Sequence, residues 1–424
     1  MDARALGPAV TSGRVTSIDG VASDSKILYV GAANGGVWKT MNGGTTFKPV
    51  FDKYTQSIGA ITIDQSKPDT VWVGTGEAWV RNSTSVGTGI YKSKDAGDNW
   101  QFMGLPKSER IGKIVVDPKN SDVVYVAVLG SLWSASEDRG LYKTTDGGVT
   151  WKKMLYTDPD SGCTDVVVDP QETSIVYAAT WQFRRYPWKF ESGGAGSGIH
   201  QEKLGRIALA LASGRPGTVY AAVEAKKSGL YRSDDAGRSW RLASTHPTIG
   251  MRPFYFMALF PDPKDYQKIY KAGMSTIVSK DGGKTWTGIG GATHSDHHAL
   301  WIDPANTSTM YLGTDGGVYR SNDNGVSWNF LRGLPLAQSY HISYDMDRPY
   351  NIYGGLQDNG SWAAPSASKA GEVMNKDWTN VGFGDGFYVW SHPTDRDVVY
   401  SQYQGGHLLR YIRNRRGSGR RSSL

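Results

Sequence analysis

One eight-residue unit, Ser/Thr-x-Asp-x-Gly-x-x-Trp, constrains this chain more than any other feature. It occurs as Ser93–Trp100, Thr144–Trp151, Ser233–Trp240, Ser279–Trp286 and Ser321–Trp328. A first, altered copy, Thr40–Phe47, has Asn42 for Asp and Phe47 for Trp. The Asp or Asn falls at 42, 95, 146, 235, 281 and 323, in steps of 53, 51, 89, 46 and 42. The step of 89 is close to two ordinary ones, and Gly193 to Gly205 reads as the intervening copy with its turn cut out. A period of this size marks a supersecondary unit that buries its apolar face only by stacking on its neighbours.

Each copy has an upstream half: an apolar run, an Asp-Pro-type turn, then a run ending in Tyr or Trp, as in Ile114-Val-Val-Asp117-Pro118 before Val123-Val-Tyr125. The Tyr or Trp recurs nine times, at 29, 72, 125, 177, 220, 270, 311, 353 and 400. Short β-rich runs divided by Asp, Asn and Gly turns predict an all-β fold. Four antiparallel strands repeated radially make a β-propeller, here with nine sequence repeats and an expected seven to nine blades. Strands a to d run outward in each unit, with the repeated turn between c and d. There Asp bonds nearby backbone N–H groups, Gly supplies positive φ, and Trp wedges between blades. The ninth unit shows strands at Phe387–Trp390, Val398–Gln402 and Leu408–Ile412, and the N-terminal Ala3–Pro8 is expected to supply its fourth. The expected organisation is one propeller over 1–412 and a flexible Arg-rich tail over 413–424.

Glycine, 53 of 424 residues, serves these turns, and the 15 Trp and 23 Tyr serve mainly as wedges. The net charge of +7 is misleading as a sign of nucleic-acid binding. Six arginines lie between Arg410 and Leu424 without an acid, and the remaining body carries only +1. That tail lacks the aromatic interleaving of single-strand binders, which argues against a nucleic-acid partner. No apolar run approaches a bilayer span. The single Cys163 has no partner for an internal disulfide.

The repeated unit resembles the Asp box, or bacterial neuraminidase repeat. The chain resembles sortilin-type propellers, xyloglucanase-type tandem propellers and a plant photosystem assembly factor. It is most similar to large secreted bacterial proteins catalogued as glycosyl hydrolases with sortilin-like repeats. The resemblance rests on Leu6-Gly-Pro8, Ser12-Gly-Arg14-Val15, Gly35-Gly-Val-Trp38-Lys-Thr40, Leu141–Gly148, His297–Pro304 and Gly355-Leu-Gln-Asp358-Asn-Gly-Ser-Trp362. It implies a secreted protein, although Met1-Asp-Ala-Arg4 has no hydrophobic leader. Such relatives usually continue well past the Arg-rich tail, so a truncated form is expected.

In a propeller the b–c and d–a loops share one face, where function normally sits. The b–c loops of units two to four carry Glu77, Trp79 and Arg81, then Trp133, Glu137, Asp138 and Arg139, then Trp181, Arg184, Arg185, Tyr186 and Trp188. Exposed indoles beside Arg and carboxylates suit stacking on sugar rings, or anchoring a protein partner; packing of loop on loop is the alternative. Glu77, Trp79, Trp133, Trp181, Arg184, Trp188, His297 and His298 are therefore candidate substrate-binding residues. Asp315, Asp358 and Asp385 sit in Gly-flanked turns and are candidate catalytic residues, because glycoside hydrolysis needs two carboxylates roughly 5 to 9.5 Å apart. Turn chemistry alone explains such aspartates as well. The xyloglucanase resemblance places catalytic aspartates in such loops, but across two propellers. His294, Asp296 and His298 would share a face of an extended strand, yet no outlying ligand completes a metal set, and neither metal nor cofactor is expected. Met251-Arg-Pro-Phe254 does not supply a sialidase's Phe/Tyr-Arg-Ile-Pro, which argues against that activity. The remaining readings are a glycoside hydrolase-like propeller acting on a polysaccharide or glycoprotein, and a non-catalytic sortilin-like propeller or assembly scaffold. A monomer is expected in either case.

Overall fold

The computed structural model describes residues 12–80, 84–198, 204–371, 373–413 and 419–423. Among these residues nine antiparallel sheets follow one another, eight with four strands and one with three. The Tyr or Trp of each unit lies on the second strand, from Tyr29 in Asp24–Ala32 to Tyr400 in Val398–Tyr403. The fold is all-β, as the repeat predicts, with only three short 3₁₀ turns among the described residues.

Two compact units divide the chain. The larger comprises 15–314 and 318–331 and contains seven sheets. Their first strands are Val15–Val21, Ile58–Ile63, Ile111–Asp117, Ser161–Val168, Ile207–Leu211, Ala258–Pro261 and His297–Ile302. Each packs on the next, and Val15–Val21 packs on His297–Ile302, which closes a seven-bladed ring and leaves only short, protected sheet edges at the centre. Side chains stitch neighbouring first strands together. Asp19 accepts from the Ile63 N–H (2.8 Å), Asp165 from the Leu209 N–H (2.8 Å), and Thr62 donates to the Ile114 carbonyl (2.7 Å). Burial pushes the Asp19 carboxyl up to about 6.

The repeated turns follow one geometry. Ser93 Oγ donates to Asp95 Oδ1 (2.8 Å) and accepts from the Gly97 N–H (2.8 Å), while Asp95 Oδ1 accepts from the Asn99 N–H (2.8 Å). Gly97 takes φ +93°, where a Cβ would be strained. The Trp100 indole donates to the Val50 carbonyl of the preceding blade (2.7 Å), and Trp151 and Trp328 repeat that link to Met103 and Ile289 (both 2.7 Å). These hydrogen bonds pull Asp95, Asp235 and Asp323 down to about 2, with the Asn99, Ser239 and Ser327 side chains as the leading donors. Asn42 reproduces the geometry without charge, accepting from the Thr46 N–H (2.9 Å). The fourth sheet, Ser161–Val168, Val176–Tyr186 and Lys189–Ser192, is the three-stranded one, where a long hairpin replaces the repeated turn.

The smaller unit comprises residues up to Arg14, 315–317 and 332 onward, and holds two sheets. One is Ser339–Tyr344, Asn351–Leu356, Gly360–Pro365 and Thr379–Gly382; the other is Val389–Ser391, Val398–Tyr403, His407–Arg413 and Gly419–Ser423. The fourth strand of the last sheet is thus Gly419–Ser423, which pairs with Leu409–Arg413. This corrects one expectation: part of the Arg-rich tail is strand rather than free chain. Ala3–Pro8 lies outside the described residues.

Candidate functional site

The three aspartates singled out in the sequence fall in the smaller unit, and backbone turns bring them together. Asp315 follows the strand Met310–Thr314; Asp358 sits at the tip of the hairpin between Asn351–Leu356 and Gly360–Pro365; Asp385 precedes Val389–Ser391. Carboxylate oxygens of Asp315 and Asp358 lie within 4.8 Å of each other. Asp358 adopts φ +58°, a left-handed conformation that Asp tolerates better than most side chains. Its N–H donates to Asp385 Oδ1 (2.7 Å), and the Gln357 amide donates to Asp358 Oδ2 (3.0 Å). Asp385 Oδ2 accepts from Gln404 Nε2 (2.9 Å), so both of its oxygens are engaged in holding two turns. These turns approach so closely that a Cβ on Gly386 would meet the Gly360 carbonyl at 2.3 Å.

Asp315 is buried and faces Arg14, also buried, in a two-pronged ion pair: Nε to Oδ1 at 2.9 Å and Nη2 to Oδ2 at 3.2 Å. A desolvated bidentate pair is geometrically specific and costly to break from one side. Asn359 Nδ2 donates to the Asp315 carbonyl (3.2 Å) and the Gln357 carbonyl (2.8 Å), joining the two aspartate turns through the backbone. Sequence reasoning missed Arg14, Gln357, Asn359 and Gln404 as members of this group. For Arg14 a signal existed: an isolated cation in Ser12-Gly-Arg14-Val15, immediately before an apolar strand.

The remaining candidates belong to the larger unit, and most are enclosed. Trp79 and Trp181 are buried, with the Arg206 guanidinium over both rings at 4.7 and 5.2 Å. Trp181 also stacks on Phe183 at 4.4 Å and donates to Ser192 Oγ (3.0 Å). The expectation of exposed indoles is therefore wrong for these two, because Trp181 packs in an apolar cluster with Phe183 and Phe190 and Trp79 in another with Tyr255 and Phe256. Glu77 is buried, and its N–H donates to Ser57 Oγ (3.1 Å). His298 is buried among Trp79, Tyr255 and Phe256, with ring centroids 4.6 to 5.7 Å away. His297 is buried and bonds Thr276 Oγ1 (2.8 Å) and Thr293 Oγ1 (3.0 Å). The strand begins only at His297, and Asp296 has φ +64°, so the extended face imagined for His294, Asp296 and His298 does not form. Arg184 ion-pairs with Asp160.

Two tryptophans do reach solvent. Trp133 is 48% exposed and Trp188 77% exposed, the latter stacked on Tyr186 at the tip of the hairpin. The Arg185 N–H donates to the Leu132 carbonyl (2.9 Å), which ties this hairpin to the loop bearing Trp133. Arg81 lies outside the described residues. Lys271 is fully buried and donates to the Phe256 and Ala272 carbonyls (2.6 and 2.7 Å). Burial, then repulsion from Arg206, pulls its ammonium down to about 7.

Comparison with known proteins gives the fold a setting. No family model matches the chain. A curated xyloglucanase from Paenibacillus sp is 23% identical over 354 residues, which cover 79% of this chain and 27% of the relative. The chain spans 27% to 43% of the length of the curated relatives it matches. Among solved structures, the GH74 enzyme of Niastella koreensis superposes with a TM-score of 0.67 at 16% identity, covering 99% of this chain and 68% of that one. The GH74 xyloglucanase from Xanthomonas campestris gives 0.63 at 16% identity, covering 96% and 73%. These likenesses show a β-propeller fold. No helix among the described residues is long and apolar enough to cross a membrane.

Proposed function

We propose that this chain is part of a secreted carbohydrate-active hydrolase that cleaves a β-linked polysaccharide of the xyloglucan kind. The observation that carries the reading is the pair Asp315 and Asp358, whose carboxylate oxygens lie within 4.8 Å. That spacing falls just below the roughly 5 to 9.5 Å over which two carboxylates divide a glycosidic cleavage between them, and it brings both acids to one point of the unit. Asp358, half-buried at a hairpin tip, is the proton donor to the leaving oxygen. Asp315, ion-paired with Arg14, is the second carboxylate of the cleavage. Asp385 is a positioning residue, since both its oxygens hold neighbouring turns. Trp133 and Trp188 are the surfaces for stacking on sugar rings, and the chain acts as a monomer. Xyloglucan, mixed-linkage β-glucan and aryl β-glycosides are the substrates to screen by reducing-end release. Loss of turnover in Asp358→Ala and Asp315→Ala supports the assignment; no turnover by the unaltered chain on any of them ends it.

A second reading has its own support. The two-pronged Arg14 contact engages both oxygens of Asp315, as a purely structural ion pair would. On that reading the chain is an Asp-box, sortilin-like propeller that binds a glycan or protein through its b–c loops. A glycan array and a peptide pull-down with Trp133→Ala and Trp188→Ala test it, and binding unchanged in both variants counts against that face.

A further inference from the structure

The larger unit holds a cleft that the carboxylate reading leaves unused. It has a volume of about 380 Å³ and is lined by Leu105, Lys107, Ser108, Asp138, Tyr142 and Trp151 between the second and third sheets. That volume lies within the range of small-molecule sites, which combine apolar or aromatic walls with a few convergent polar groups.

Three details distinguish it from a packing defect. Ser108 is 2% exposed, and its hydroxyl has no hydrogen-bond partner among the described residues. Buried hydroxyls are nearly always satisfied, so an orphan lining a cleft calls for a partner from outside the chain. The loop is also held in a demanding shape, with Leu105 at φ +55° and Glu109 at φ +50° on either side of Ser108. Finally, the walls are fixed: the Trp151 indole is anchored on the Met103 carbonyl (2.7 Å), and the Tyr142 hydroxyl on the Asp138 carbonyl (3.1 Å). The half-buried Trp151 thus offers rigid aromatic surface, with Tyr142 buried behind it, and Asp138, Lys107 and Ser108 complete the lining.

We propose that this cleft binds one pyranose residue of a neutral glycan. The C–H face of a sugar ring packs on the aromatic wall, one hydroxyl meets Ser108 Oγ, and another donates to Asp138. An acid and a cation both line the cleft, which leaves it no net preference for a charged ligand. The choice of ligand class rests on the polysaccharide reading; the cleft itself needs neither Asp315 nor Asp358.

The test is titration of the full chain with methyl β-D-glucopyranoside, methyl β-D-xylopyranoside and methyl β-D-galactopyranoside. Saturation-transfer NMR and tryptophan fluorescence report binding, and circular dichroism confirms that each variant folds. At least one pyranoside should saturate, and Ser108→Ala and Asp138→Asn should each weaken it by about fivefold, the worth of one hydrogen bond. Asp358→Ala should leave the titration unchanged while abolishing any turnover, which separates failure of the cleft from failure of the hydrolase reading. Absence of saturation with all three sugars overturns the proposal. So does binding that survives both cleft variants, or that is lost in Asp358→Ala.

Discussion

The two units are built from the same four-stranded sheet, yet their first strands meet opposite environments. In the seven-sheet unit Val15–Val21 and Ile58–Ile63 are almost wholly buried. In the two-sheet unit every residue of Ser339–Tyr344 is exposed or half-exposed, and Ile342 and Tyr344 stand about 70% exposed. Trp390, on the neighbouring first strand, is 43% exposed and stacks on Tyr388 at 5.0 Å. Both strands are rich in apolar and aromatic residues. Burial of a first strand is therefore a property of the closed ring, and the sequence of one repeat does not determine it.

Substitutions that probe the ring should have the largest effects. Trp72 is fully buried against Ile114, Val126 and Trp151, so Trp72→Ala should cost about 3–5 kcal/mol in chemical denaturation. Trp390→Ala should cost less than about 1 kcal/mol, because that ring is already half in water. Equal losses would break the distinction between the two units. Next comes the ion pair of the smaller unit. Arg14→Met breaks this buried ion pair from one side and should cost about 3–5 kcal/mol, while replacing both residues by apolar ones should restore most of it. Hydrogen exchange should sharpen the comparison further: amides of Ser339–Tyr344 should open at lower free energy than those of Ile111–Asp117.

The smallest effect concerns pH. Asp281 of a repeated turn is held at about 2 by hydrogen bonds from Thr285 and Ser279, against an opposing desolvation. Its folded value lies below the unfolded one of 3.8, so its stabilisation is present above about pH 4 and disappears as pH falls through 2. The stability difference between the unaltered chain and Asp281→Ala, followed by tryptophan fluorescence, should shrink over that interval. A difference independent of pH would show that the charge contributes nothing.

What was legible in the sequence was local. The nine Tyr or Trp strands and the Ser-x-Asp-x-Gly turns emerge from spacing because their hydrogen bonds span four residues, as between Asp95 and Asn99. Asp315, Asp358 and Asp385 were identifiable for the same reason, each standing in a Gly-flanked turn. Long-range partners were not. Arg14 and Asp315 are 301 residues apart, and no local pattern links them. Burial of Trp79 and Trp181 was equally hidden, since it depends on Arg206 entering between the two rings from another sheet. The last strand illustrates the same limit: a Gly/Ser/Arg stretch with no β-propensity pairs because His407–Arg413 offers it an edge.

Reducing-end release from xyloglucan is the most direct test of the carboxylate pair. The purified chain should release oligosaccharides, and Asp358→Ala should lower the rate by at least about a hundredfold while circular dichroism stays unchanged. Turnover that persists in Asp358→Ala, or a folded chain with no turnover on any β-glucan, would contradict the account.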